Sequence, residues 1–234
     1  MVKKALGGVR TGHSGTLARF ASGLMVLSTG QATGVSDVLL GMDKEYEAVF
    51  ELGRSTDTHD PEGAVSEERS PEDVATFVSE NQVRIQETFL KFQGEMIQIP
   101  PQYSALKLAG KRASDYARSG QTVALRGRQV RIQSRIQSLE GNRLRATIKV
   151  SSGTYIRALA RDLGQALAFP VHLAELCRTS VGTFSLDGAW KPGEAGPYVL
   201  SLLQAFPEWP RLPVSDENAR RIRQGGFVPV PALS

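Results

Sequence analysis

The chain has 234 residues, 41% of them hydrophobic, and no apolar run approaches the roughly 20 residues of a membrane-spanning helix, which argues against an integral membrane protein. Its single cysteine, Cys177, cannot form an internal disulfide, which predicts a reducing cytoplasm, and three widely spaced histidines argue against a zinc site. The net charge of +4 is too small to identify a nucleic-acid partner by itself.

A glycine-rich segment near the start of the chain suggests either a nucleotide-binding site or a hydrolase site. Residues 7–14 nearly match the phosphate-binding loop GxxxxGK[ST], but His13 replaces the lysine and too few residues precede the segment for a buried strand. The pair His13-Ser14 suggests a hydrolase, yet Gly15 follows Ser14 directly and the GxSxG pattern is not met. A nucleotide site is therefore disfavoured, and a hydrolase stays a remote alternative.

The next clear elements are a strand and a helix. Apolar and charged residues alternate over 44–52, which predicts a half-buried strand. Ser70 as N-cap and Pro71 at the first helical position predict a helix that runs to about Val78. A second helical stretch is predicted over 81–92.

The middle of the chain carries most of the positive charge. Residues 100–161 contain thirteen Lys and Arg against two acidic residues, a net charge of +11. A concentration of this kind favours a phosphate backbone as partner over a solvated basic face. Alternation within 123–138 and over 143–150 predicts strands here.

A helix is predicted after Gly153, with Thr154 as its cap and Arg157 in its first turn. Its apolar face consists of Ile156, Leu159, Ala160, Leu163 and Leu167. Three prolines between 207 and 213 indicate a linker, followed by a helix over 215–223 and the start of a strand over 227–231. Irregularly interleaved strands and helices favour an α+β or mixed α/β fold.

Four ordered segments resemble the TruB-type tRNA pseudouridine synthases. Residues 12–24, GHSGTLARFASGL, are similar to the family signature GHTGTLDPxATGVL, and residues 44–48, KEYEA, to its KxYxA strand, followed by LGRSTDTHDPEG at 52–63. PPQYSALK at 100–107 with GKR at 110–112 resembles the family's PPxYSALKxxGKR. SGTYIR at 152–157, DLG at 162–164 and LCR at 176–178 complete the pattern, so the resemblance covers about three quarters of the chain.

The resemblance implies a fold, a reaction and a partner. The fold is an α+β pseudouridine synthase fold, a mixed and mainly antiparallel sheet with flanking helices. The family detaches a T-loop uridine of tRNA from its ribose, turns it and rejoins it through carbon, without cofactor or metal. The base must first be flipped out of its loop. We expect a cytoplasmic monomer that binds the T-arm of tRNA and no membrane.

The resemblance also implies site residues. Tyr46 matches the family's stacking tyrosine, Leu176 an apolar pocket wall, and His13 a histidine that fills the space left by the flipped nucleotides. Arg157 matches the arginine that pairs with the catalytic aspartate, and Tyr155 lies beside it. The segment with Lys107, Lys111 and Arg112 is expected to contact tRNA phosphates.

One departure from the family concerns the catalytic residue itself. The nucleophilic aspartate of the family falls at Ala18, and a methyl group can neither attack the substrate nor transfer a proton. An inactive paralogue, an engineered substitution and a sequence error would each give Ala18. We expect Arg157 to lose its carboxylate partner as a result, which is costly if the side chain is buried.

The domain organisation implied is a catalytic domain over 1–206, lacking the family's first strand, and a linker with the stub of an RNA-binding domain over 207–234. Two functions remain open. The first is a pseudouridine synthase whose activity is put in question by Ala18. The alternative is a catalytically dead tRNA-binding module or tRNA-folding chaperone.

Overall fold

The structure is a computed structural model that describes residues 4, 7–104, 106–108, 110–191, 194 and 199–229. The chain forms two compact units, Met1–Glu194 and Ala195–Ser234. No helix in the described part of the chain combines the length and the apolarity that crossing a membrane requires.

Most strands belong to the first unit's central sheet. The described strands are β1 (Thr11–His13), β2 (Ser22–Gly23), β3 (Leu27–Thr29), β4 (Lys44–Leu52), β5 (Arg54–Thr56), β6 (Val65–Glu68), β7 (Gly94–Gln98), β8 (Lys107–Leu108), β9 (Lys111–Arg112), β10 (Arg128–Glu140), β11 (Arg143–Val150), β12 (Val171–Val181) and β13 (Phe184–Ser185). The central sheet has the order β13–β12–β4–β11–β10–β7, and β2 pairs with β12. The pairs β1–β3, β5–β6 and β8–β9 stand apart from it.

The described helices are α1 (Ser36–Gly41), α2 (Pro71–Leu90), α3 (Ala113–Arg118), α4 (Ile156–Leu167), α5 (Leu202–Ala205) and α6 (Asp216–Arg223), with a 3₁₀ helix over Gly30–Val35. Every pairing in the central sheet is antiparallel except β2 with β12. The expected α+β fold with a mainly antiparallel sheet is therefore confirmed.

One face of the sheet and two helices enclose the core. The strands predicted over 44–52 and 143–150 are confirmed as β4 and β11, and most of their alternate residues, including Phe50 and Ile148, are buried. The predicted apolar face of α4 is also confirmed, since all five of its residues are at most 4% exposed. Together with Ile85 and Phe89 of α2 they form one hydrophobic cluster, which fixes α4 against the sheet.

Three local predictions differ from the structure. The two helical stretches predicted after Ser70 form one element, α2, with a kink at Asn81, whose amide donates to the Phe77 carbonyl at 2.8 Å. Strand β10 begins at Arg128 rather than near 123. The cap of α4 is Tyr155, because the Thr154 hydroxyl donates to the Ser151 carbonyl instead.

The second unit contains the predicted C-terminal helix. Ser215 caps α6 by accepting from the Asn218 amide at 3.3 Å, as expected for a helix over 215–223. Residues 227–229 do not form the predicted strand, and 230–231 lie outside the described residues. The predicted domain division after residue 206 stays a prediction.

Candidate functional site

The segment between β1 and β2 carries Ala18, the position of the family's aspartate. Ala18 is half-buried, and its carbonyl accepts from the Ala21 amide at 3.0 Å, which closes a tight turn. The next side chain, that of Arg19, is 92% exposed. His13 precedes the turn at the end of β1 with an exposed side chain, and its Nδ1 accepts from the Gly15 amide at 3.3 Å. Position 18 thus lies on a solvent-facing loop.

Tyr46 and Leu176 lie on the same face of the sheet. In the β4–β12 register Tyr46 is opposite Arg178, and Leu176 is opposite Ala48, so the two side chains are diagonal neighbours. Both are half-buried and pack against the hydrophobic cluster. Burial raises the pKa of the Tyr46 hydroxyl, an effect that the nearby Arg178 guanidinium opposes. The arrangement offers an aromatic ring and an aliphatic side chain at the edge of the core.

The loop with Ala18 is attached beside these two residues. At its end, β2 pairs in parallel with β12, with Ser22 opposite Cys177 and Gly23 opposite Arg178. The Leu24 amide donates to the Arg178 carbonyl at 2.7 Å. The fold therefore brings the loop, Tyr46 and Leu176 to one region of the sheet, although they are far apart in sequence.

Arg157 has a carboxylate partner, so the expectation that it lacks one is wrong. Its Nη1 lies 2.9 Å from Asp60 Oδ2, and the Asp60 side chain is only 2% exposed. Two carbonyls, those of Thr58 and Tyr103, accept further bonds from the guanidinium at 3.3 and 2.7 Å. Asp60 also accepts from the Glu62 amide at 3.0 Å. Arg157 thereby links the segment after β5 to the basic segment that begins at residue 100.

The start of α4 is held by a buried glutamine. Gln98, 2% exposed, accepts from the Tyr155 amide at 2.9 Å and donates to the Tyr155 carbonyl at 3.1 Å. Because both backbone groups of Tyr155 are fixed, the first turn of α4 places Arg157 in a defined position. The backbone of Tyr155 is therefore anchored by Gln98.

The cations of residues 100–161 do not act as one basic surface. Six of the thirteen have ion pairs within the described residues: Arg118, Arg131, Arg143, Arg145, Arg157 and Arg161. Most of their acidic partners come from other segments, such as Asp43 and Glu175, and three of the six cations on β10 and β11 are paired in this way. Lys111 and Arg112 are exposed on the β8–β9 hairpin, whereas the Lys107 side chain lies outside the part that the structure describes.

The remote hydrolase alternative has no supporting geometry. Ser14 is fully buried, and its hydroxyl has no hydrogen-bond partner among the described residues. The adjacent His13 ring accepts from a backbone amide instead. In the described part of the chain, no group of three or more His, Cys, Asp or Glu residues could hold a metal ion.

Three residues of this region were not singled out by sequence reasoning, namely Asp60, Gln98 and Arg178. Asp60 lies within LGRSTDTHDPEG and Arg178 within LCR, so both belong to segments that resemble the family. Gln98 lies outside them. Their contacts join positions 57 to 163 residues apart in the chain, and no sequence pattern reports such contacts.

His59 directly precedes Asp60, the carboxylate that pairs with Arg157, and has an unusual backbone conformation. Its φ is +62°, in the left-handed region, and burial and the nearby Arg161 and Arg157 lower its pKa from 6.5. The unfolded chain therefore binds a proton more readily than the folded chain. We expect the free energy of unfolding to fall as pH decreases through about 6.5, by at most ~1.4 kcal/mol per pH unit. Below the lowered pKa of His59, the free energy of unfolding no longer decreases on account of this residue.

The matched variant is His59→Asn, because asparagine tolerates the left-handed conformation and does not titrate. Urea unfolding at pH values from about 7.5 to 5.5 should show a smaller pH dependence for His59→Asn than for the original chain. Equal slopes for the two proteins would rule out His59 as the source.

Comparisons with known proteins identify the family of the chain. Residues 3–156 match the TruB family pseudouridylate synthase (N terminal domain). The chain is 42% identical over 188 residues to the tRNA pseudouridine synthase B of Bordetella avium (strain 197N), covering 80% of this chain and 75% of that protein. It is 40% identical over 209 residues to that of Aromatoleum aromaticum (strain DSM 19018 / LMG 30748 / EbN1), covering 88% of this chain and 62% of that protein.

A solved Cbf5-Nop10-Gar1 complex contains a chain that is 30% identical with a TM-score of 0.55. The match covers 79% of this chain and 44% of that chain. The chain thus spans less than two thirds of the Aromatoleum aromaticum protein and less than half of the solved chain.

Proposed function

Because the chain belongs to the TruB family of pseudouridylate synthases, we propose that its substrate is a uridine in the T-loop of tRNA. The uridine is flipped out of the loop into the region between Tyr46, Leu176 and the segment that carries Ala18. The observation that carries this proposal is the β4–β12 register, which makes Tyr46 and Leu176 diagonal neighbours beside the point where that segment joins β12.

Each residue has a role that suits its chemistry. The Tyr46 ring supplies a face on which a flipped pyrimidine stacks, and Leu176 supplies an apolar wall that excludes water. His13, which is exposed at the end of β1, fills the space that the flipped nucleotides leave in the T-loop. Arg157, which Asp60 holds in place, and the adjacent Tyr155 are assigned to the same site by the family resemblance.

The chemical step needs a group that Ala18 does not provide. Isomerisation requires the base to leave the ribose, turn and rejoin through carbon, and the family's aspartate drives this exchange. Among the described residues, Asp60 is the carboxylate that pairs with Arg157, but it already accepts bonds from Arg157 and from the Glu62 amide. We therefore propose that the chain recognises its uridine and forms no pseudouridine as long as residue 18 is alanine.

The cations that contact tRNA are assigned to the segment between β7 and β10. Lys111 and Arg112 are exposed there without an ion pair among the described residues, as is Arg126, and Arg128 at the start of β10 is also exposed and unpaired. The sheet cations Arg143 and Arg145 already pair with Glu175 and contribute less to phosphate binding. The segment is also tied to the site, because the Tyr103 carbonyl accepts from Arg157.

A triple variant tests this assignment. Replacing Lys107, Lys111 and Arg112 together with alanine is expected to weaken tRNA binding at least about tenfold, because up to three phosphate contacts are lost. The slope of log affinity against log salt should become shallower by roughly 2–3 for the same reason. Gel-shift titrations of a tRNA transcript at several salt concentrations measure both quantities, and we expect micromolar binding for the original chain.

The control removes three positive charges elsewhere, through Arg54→Ala, Arg69→Ala and Lys91→Ala. Arg54 and Arg69 already pair with Glu68 and Glu67, and Lys91 is exposed at the end of α2. This variant should keep most of the affinity. Equal weakening in the two triple variants would mean that net charge, and not the segment, determines binding. No binding by the original chain would contradict the proposed substrate.

A second candidate function follows from Ala18. A tRNA-binding module or tRNA-folding chaperone needs Tyr46, His13 and the exposed cations, but it does not need a carboxylate at position 18. It predicts that the original chain accelerates refolding of a tRNA T-arm, and that Tyr46→Ala reduces the acceleration. A synthase domain without a chaperone role would leave the refolding rate unchanged.

A further inference from the structure

Arg178 combines deep burial with a full positive charge. Its side chain is 1% exposed, which makes it the largest fully buried side chain among the described residues. It has no ion pair with any described carboxylate, and its guanidinium donates to backbone carbonyls instead. A buried guanidinium costs several kcal/mol unless its donors are satisfied. The positions of these carbonyls therefore identify the part of the chain that Arg178 holds in place.

The two carbonyls lie on either side of position 18 in the chain. The Arg178 Nε donates to the Leu24 carbonyl at 2.7 Å, and Nη2 donates to the Gly15 carbonyl at 3.2 Å. Gly15 lies near the start of the loop that contains Ala18, and Leu24 directly follows β2, at which the loop ends. One planar guanidinium thus joins the start and the end of this loop, a geometry that a single ammonium group does not reproduce.

The backbone of Arg178 holds the same loop a second time. Gly23 pairs with Arg178 in the parallel β2–β12 contact, and a Cβ atom at Gly23 would lie 2.3 Å from the Arg178 carbonyl oxygen. The φ of Gly23 is +106°, a conformation that side chains rarely adopt. Only glycine permits this close approach.

Arg178 also faces the ring that we assign to the substrate base. It lies directly opposite Tyr46 in the β4–β12 register, and the two side chains interact. A single residue is therefore in contact with the two loop ends and with Tyr46. Movement of its side chain would displace position 18 relative to the ring.

We propose that Arg178 is a positioning residue that clamps the loop bearing position 18 and sets its distance from Tyr46. This inference rests on the proposed function for the roles of position 18 and Tyr46. The clamp itself is a statement about the loop and can be tested without tRNA. Loss of the clamp frees the loop while the core, which α2, α4 and the sheet form, stays folded.

Trypsin cleavage after Arg19 reports on the clamp, because this side chain is exposed on the loop. In Arg178→Met, cleavage after Arg19 should accelerate at least tenfold relative to cleavage after Arg118, an exposed site in another segment. Gly23→Ala should have the same effect, since it breaks the backbone contact and keeps the guanidinium. It also provides a second variant if Arg178→Met does not fold. Mass spectrometry of the early fragments gives the ratio.

A catalytic readout separates positioning from a merely structural role. In the Ala18→Asp protein, Gly23→Ala should lower the single-turnover rate of pseudouridine formation at least tenfold and leave the tRNA Kd within twofold. A change in the Arg19-to-Arg118 ratio below twofold in every variant that folds would overturn the proposal. Equal acceleration at both sites would also overturn it, because it indicates global unfolding. If Ala18→Asp forms no pseudouridine, the proposed function fails, and the cleavage ratio still decides whether the clamp exists.

Discussion

Ala18→Asp is expected to convert the chain from one that forms no pseudouridine into one that does. The loop that carries position 18 is attached to β12 beside Tyr46 and Leu176, so a carboxylate there would lie next to the two residues that we propose contact the base. Positioned acid–base groups contribute about 10²–10⁴-fold to a rate, and a nucleophile contributes more. The gain should therefore be at least about a hundredfold over background.

The reaction is measured on a tRNA transcript by carbodiimide labelling and reverse-transcription mapping. Ala18→Asn is the matched control, because it has nearly the same size as aspartate but neither attacks the substrate nor accepts a proton. We expect a stop at the T-loop uridine only with Ala18→Asp. A strong stop with the original chain would show that position 18 is not the catalytic position.

Asp60→Asn is expected to destabilise the protein by about 3–5 kcal/mol, the cost of leaving one partner of a buried ion pair unpaired. Asp60 is 2% exposed and the Arg157 side chain is 17% exposed, so solvent compensates little. In this variant the new amide NH₂ would replace Oδ2 and point a donor at the Arg157 Nη1, since the other oxygen must still accept from the Glu62 amide. Urea unfolding measures the difference.

Two further variants test whether the destabilisation comes from the Arg157–Asp60 ion pair. Asp43→Asn breaks the exposed Arg131–Asp43 pair and should cost about 0–1 kcal/mol. The double variant Asp60→Asn/Arg157→Met should be less destabilised than the sum of its single changes, because no buried charge is left. Additive effects in this cycle would mean that the two groups do not stabilise each other.

Local signals predicted much of the fold. Alternation over 44–52 and 143–150 placed β4 and β11, and the apolar spacing after residue 155 placed the buried face of α4. These predictions succeeded because the buried residues of a strand or helix repeat with a short period. Capping was less reliable. Ser70 caps its helix as predicted, but Thr154 turns its hydroxyl towards the Ser151 carbonyl, an equally short-range alternative.

The charge pattern shows where a count of residues misleads. Residues 100–161 carry a net charge of +11, but the strand order brings Glu175 of β12 within ion-pair distance of Arg143 and Arg145 across β4, and brings Asp43, which precedes β4, to Arg131 across β11. Strand order decides which charges meet, and it is not encoded in the local composition. Of the six exposed cations in this range without an ion pair among the described residues, Lys111, Arg112 and Arg126 lie between β7 and β10, and the other three lie on β10 and β11.

By itself, the sequence determined the family resemblance, the strands β4 and β11, the helical regions of α2, α4 and α6, and the identity of the candidate site residues, including the alanine at position 18. All of these depend on residue types and on spacings within short segments. The tertiary structure alone decided that Arg157 pairs with Asp60, that Gln98 anchors the first turn of α4, and that Arg178 holds both ends of the loop with Ala18. These contacts join residues 57 to 163 positions apart, and they form only when strand pairing and core packing bring distant segments together.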